Sequence, residues 1–136
     1  MDHVKKAKEL FNEGCNCAQA VFCAYSDDYG IDPDTALRIT GAMGGGIGGT
    51  RGVCGAVSGM ALVCGLKNAS TDLSDKETKD QTYKLTKEKM EAFRDKFGSC
   101  DCKELLVLLK KNDLVKNPAR PCDVFVEYAA ELAEKE

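Results

Sequence analysis

Apolar residues return every three or four positions along most of the chain, the period of an amphipathic helix. Val4, Ala7, Leu10 and Phe11 predict a first helix over 2–12, which Gly14 interrupts. A second follows over 16–28 with Ala18, Val21, Phe22 and Tyr25, and Asp32 ahead of Pro33 opens a third through Ala36, Leu37 and Ile39. After a glycine-rich loop, a fourth helix begins around 51–53 and is expected to end at Cys64, before Gly65. Gly55, Ala56, Ser58, Gly59 and Ala61 leave it so little side chain that it is expected to be the central and most buried helix. Ser74 and Glu77 have capping-box spacing and start a long charged helix to Phe97, with Tyr83, Met90, Phe93 and Phe97 as its apolar stripe. Asp101 and Glu104 repeat that spacing before Leu105, Leu106, Leu108 and Leu109. Pro121, placed for a first helical turn, introduces a helix with Val124, Phe125, Tyr128, Ala129 and Leu132. No run alternates with the period of a strand. The expectation is an all-α single domain over residues 1–136, a bundle of about six to seven helices around a small-residue-rich central one.

Composition narrows the partners. With 136 residues and 43% hydrophobic content, the chain can bury a core without covalent staples. A net charge of −3 without a basic stripe argues against nucleic acid. No apolar run reaches the length of a membrane span, so membrane insertion is not expected. MDHVKKAKELF lacks the apolar stretch of a secretory signal, and cytoplasmic placement is expected. Against this ordinary background, eight cysteines stand out. In a reducing compartment they serve metal, cluster or thiol chemistry, or fill core.

From Met43 to Gly59 there are eight glycines in seventeen residues, with Cys54 among them. Gly44, Gly46 and Gly49 satisfy GxGxxG, yet a helix precedes them and no βαβ unit surrounds them, so a nucleotide site is not expected. The helix start that follows suits a thiolate, whose charge backbone N–H groups stabilise, and Arg51 adds positive charge. Cys17, Cys102 and Cys122 also fall at predicted helix N-termini, each on a different helix. Cys23 and Cys64 lie within apolar segments and are expected to pack as core. Cys15 and Cys100, just ahead of helices, read as idle surface thiols or as alternative ligands in their CxC pairs. His3, the only histidine, lies near the terminus and is expected to be solvated, which leaves no basis for Cys–His catalysis. Asp27, Asp28, Asp32 and Asp34 do not match EF-hand spacing.

GCNCAQAV (14–21), GAMGGGIG (41–48), VCGAVSG (53–59), CKELL (102–106) and the late Cys122 together resemble the C_GCAxxG_C_C family of redox-active proteins. Cys54 to Gly59 supplies the CGAxxG part, and the resemblance extends over nearly the whole chain. It implies a helical redox module whose four characteristic cysteines are Cys17, Cys54, Cys102 and Cys122 here. Three chemistries compete. An iron–sulfur cluster on these four sulfurs, with the backbone at Gly55 against it, would serve electron transfer or redox sensing. A thiol/disulfide protein would use Cys54 as the reactive thiol. A structural zinc or a partner-binding scaffold is the third. An electron-exchanging protein is the expected partner, and the small-residue helix also suits a homodimer seam.

Overall fold

Short polar side chains set the helix starts. The computed structural model describes residues 2–135, and every boundary below refers to them. Asp2 caps α1 (His3–Asn12) by accepting from the Lys5 N–H. Asn16 and Gln19 form a reciprocal capping box at α2 (Cys17–Ser26), and a single 3₁₀ turn, Asp27–Tyr29, follows. Asp32 caps α3 (Pro33–Thr40) with Pro33 in the first turn. Then come α4 (Gly55–Asn68), α5 (Lys76–Phe97), α6 (Cys102–Lys111) and α7 (Asp123–Glu134). The seven helices carry no sheet among the described residues, so the all-α expectation holds.

α2, α4 and α7 pack on one another, with α1 laid over α2 and α7 and α5 over α4 and α7. Close approach of α2 and α4 depends on Gly59, where an added Cβ would lie 2.8 Å from the Ala18 carbonyl oxygen and 3.0 Å from Val21 Cβ. Between α5 and α7, Phe97 meets Phe125 edge-on at 4.8 Å and Tyr128 at 5.6 Å, ring geometries that add to simple burial. The fully buried Tyr25 hydroxyl donates to the Ala130 carbonyl at 2.6 Å and ties α2 to α7.

Several local expectations are corrected. α4 starts at Gly55, later than 51–53, because the preceding residues are spent in left-handed turns. It also runs through Gly65 to Asn68, since glycine ends a helix only where the chain turns left-handed and Gly65 does not. α2 is more completely buried than α4: eight of its ten residues are core. Asp75, not Ser74, caps α5, and its carboxylate accepts from the Thr78 N–H. Tyr83 is 64% exposed and stands off the apolar stripe that Phe93 and Phe97 form. Asp101 caps α6, but its own N–H donates to Ser99 Oγ, so Glu104 does not complete the box. Pro121 lies ahead of α7, whose cap position is Cys122. His3 is not solvated. Its ring stacks on Tyr25 at 4.2 Å and its nitrogens reach Asp28 Oδ2 at 2.7 Å and Glu134 Oε1 at 2.9 Å.

Candidate functional site: a four-thiol cavity at converging helix starts

Cys17 and Cys102 are the first residues of α2 and α6, and Cys54 and Cys122 occupy the cap positions of α4 and α7. All four N-termini point to one place. The four cysteines and Arg51 wall a single cavity of about 70 Å³. Leu105, Leu106 and Phe125 close its apolar side.

Two local devices bring the sulfurs together. One is an antiparallel bridge between Val53 and Asp101. There the Cys54 N–H donates to the Cys100 carbonyl at 2.8 Å and the Cys102 N–H to the Gly52 carbonyl at 2.7 Å. This seats the starts of α4 and α6 side by side. The other is the glycine loop. Gly45 and Gly46 both adopt φ near +60 to +75° and line the cavity. An added Cβ on Gly46 would come within 2.5 Å of the Gly52 nitrogen, so only glycine lets the loop fold back over the site. No hydrogen bond among the described residues uses the N–H of Gly45 or Gly46. At Gly55, a Cβ would lie 3.1 Å from Cys17 Cβ, which explains a small residue beside Cys54.

Equivalent helix positions do not give equivalent thiols. Burial pushes Cys54 up to about 12, outweighing the N–H groups of Val57 and Ala56 that favour its thiolate. The expectation that the helix start would acidify Cys54 therefore fails, Cys54 being only 4% exposed. Cys17 and Cys122 share a hydrogen bond. That bond and burial raise Cys17, whereas the bond, against burial and aided by Arg51 and Arg120, lowers Cys122 to about 7. Arg51 Nη1 lies 3.7 Å from Cys102 Sγ. Cys17 and Cys122 also floor an open groove of about 280 Å³ beside Phe11 and Arg120, so one side of the site meets solvent while Cys54 and Cys102 are buried.

The other four cysteines stay outside this cavity. Cys23 and Cys64 are buried, as expected. Cys100 is buried too, contrary to a surface thiol, and donates to the Met90 carbonyl at 3.4 Å. Cys15 is partly exposed, and burial raises its thiol. Sequence reasoning missed Arg120, although it stands two residues before Cys122. Its guanidinium stacks 3.9 Å over the Phe11 ring and donates to the Cys15 carbonyl at 2.6 Å. Arg120 Nε and Asp123 Oδ1, on either side of Cys122, are buried with no hydrogen-bond partner among the described residues. Such orphan atoms call for an explanation, and here they cluster at the site.

Over residues 15–136 the chain matches the model of a family described as "Putative redox-active protein (C_GCAxxG_C_C)". No curated protein and no solved structure matches it. No helix among the described residues is long and apolar enough to cross a membrane.

Proposed function

We propose that this chain, which belongs to the C_GCAxxG_C_C family of redox-active proteins, holds an iron–sulfur cluster on Cys17, Cys54, Cys102 and Cys122 and passes single electrons to and from partner proteins. The observation that carries the reading is the convergence of four thiols, from four separate helix starts, on one cavity. Thiolates are the usual protein ligands of such clusters, and hydrogen bonds to sulfur help set their potential. The donor set fits. It is all sulfur, it has two arginines beside it, and the backbone N–H groups of Gly45, Gly46 and the α4 start are near. A bound cluster would supply the electron-accepting orbital. The chain's part is to hold the four sulfurs, keep water off Cys54 and Cys102, and leave the Cys17–Cys122 edge open to a partner.

A single zinc has less support, because structural zinc usually draws its thiolates from close pairs such as C-x₂₋₄-C, whereas these four cysteines come from four separate helix starts.

The test is oxygen-free purification or reconstitution with ferrous iron and sulfide, followed by iron, acid-labile sulfide and visible absorption. Brown protein is expected. Cys54→Ala should lose the colour while keeping its far-ultraviolet helix signal. A wild type that stays colourless and iron-free overturns the cluster reading, as does full iron content in Cys54→Ala.

One observation favours a second reading, dithiol exchange, but with different residues from those expected. Cys122, with its lowered thiol and its bond to Cys17, is the better nucleophile, and Cys54 is too buried. Cys122 thiolate would attack one sulfur of a disulfide substrate and expel the other as thiolate. Cys17 would then give up its proton and displace the second substrate thiol. The substrate disulfide is reduced by two electrons, and Cys17 and Cys122 become a disulfide. Peptide mapping of oxidised, iron-free protein would find that bond if this reading holds.

A further inference from the structure

We propose that Arg51 is a positioning residue for the redox centre: its cation at the cavity rim stabilises the added negative charge when the centre is reduced. The inference rests on the four-thiol centre proposed above and adds a residue outside its sulfur ligands. Three observations lead to it. Arg51 Nη1 is 3.7 Å from Cys102 Sγ, and the side chain forms part of the cavity wall. The same cavity wall holds Cys17, Cys54 and Cys122, so the guanidinium shares one small enclosure with all four sulfurs. Its backbone is left-handed, with φ 64°, which costs a long side chain conformational energy that a glycine would not incur.

That backbone conformation is built in. The Arg51 N–H donates to the Gly45 carbonyl at 2.9 Å, and its carbonyl accepts from the Lys103 N–H at 3.3 Å, at the start of α6. Gly46 must lack a Cβ because one would meet Arg51 Cα at 2.7 Å. The loop thus spends glycines to seat a strained arginine over a sulfur. Strain kept at such a place points to function, since a glycine at position 51 would relieve it in a loop already rich in glycine. Arg51 is itself exposed, so its charge acts from the rim and salt should weaken it.

The experiment compares wild type, Arg51→Gln, Arg51→Lys and Arg51→Gly. Iron-loaded protein is titrated with dithionite, each centre taking one electron with no bond made or broken. Arg51→Gln and Arg51→Gly are expected to favour the oxidised form by about fivefold, a fall of roughly 40 mV at 59 mV per tenfold. Arg51→Lys should recover most of it, and added salt should shrink the difference. Arg51→Gly should also melt no lower than wild type, because its backbone suits position 51; lower potential with undiminished stability separates charge from structure. In iron-free protein, iodoacetamide should alkylate Cys122 severalfold more slowly at neutral pH in the Gln and Gly variants than in wild type or Arg51→Lys. If the wild type binds no iron, the cluster reading fails and this alkylation arm alone decides on Arg51. Unchanged potential in loaded protein, or unchanged alkylation in iron-free protein, overturns the proposal.

Discussion

At the start of α7, the Cys122 thiol is drawn down by its bond with Cys17 and by two arginines, while Cys54, at the same position of α4, is held up by burial. A helix N-terminus acts through a few N–H groups, and desolvation of a sulfur sealed among apolar side chains exceeds that. The sign of the consequence is definite. Cys54 and Cys23 have folded values raised from 9.0 to about 12 and about 11. Their contribution to stability is complete below pH 9 and is lost as the pH climbs towards those folded values, because the unfolded thiols ionise first. Cys122 works the other way: lowered from 9.0 to about 7, it contributes above pH 9 and loses that as pH falls to 7. Iron-free protein kept reduced should therefore show a melting temperature that falls between pH 9 and pH 11. A flat alkaline limb in circular dichroism would contradict the burial argument. At neutral pH, mass spectrometry should find Cys122 alkylated before Cys54.

Among the elements, the α2–α4 contact couples stability to the site. Gly59→Ala would press a methyl group against Ala18 and Val21, an overpacking that typically costs about 1–3 kcal/mol. Since α2 carries Cys17 and α4 carries Cys54, the same change should lower iron retention as well as the chemical-denaturation midpoint. Asp101→Ala, which removes the cap of α6, should cost about 1 kcal/mol in the same assay. Elements of this kind were largely readable from the chain. Asp2, Asp32 and Asp101 each mark a helix start because their carboxylates suit free N–H groups at that spot. Ser74 and Asp75 are adjacent oxygen acceptors, so pattern alone does not choose between them. The start of α4 was hidden because a run of left-handed residues has no periodicity to read. The four sulfurs' helix positions were legible; their meeting was not. It depends on the bridge from Val53 to Asp101, a long-range pairing with no local signal. His3 was misread for the same reason, its partners being Asp28 and Glu134.

Across the whole molecule, the aromatic cluster of α5 and α7 touches the thiol cavity through Phe125, whereas the buried bond from Tyr25 to Ala130 lies outside its wall. Phe97→Ala should cost about 3–5 kcal/mol and Tyr25→Phe about 1–2 kcal/mol by urea denaturation. Tyr25→Phe should leave the visible spectrum of loaded protein unchanged, since the bond it removes joins α2 to α7 outside the cavity wall. A changed spectrum would show that the two regions are not separable. The spread of the ligands has a further effect during synthesis. With Cys17 near one end of the folded segment and Cys122 near the other, a ribosome must release almost all of that segment before the fourth sulfur can join the rest. Until then the earlier thiols emerge without their enclosure, exposed to stray oxidants and loose metal ions, so the four-thiol cavity cannot close before residue 122 has left the ribosome.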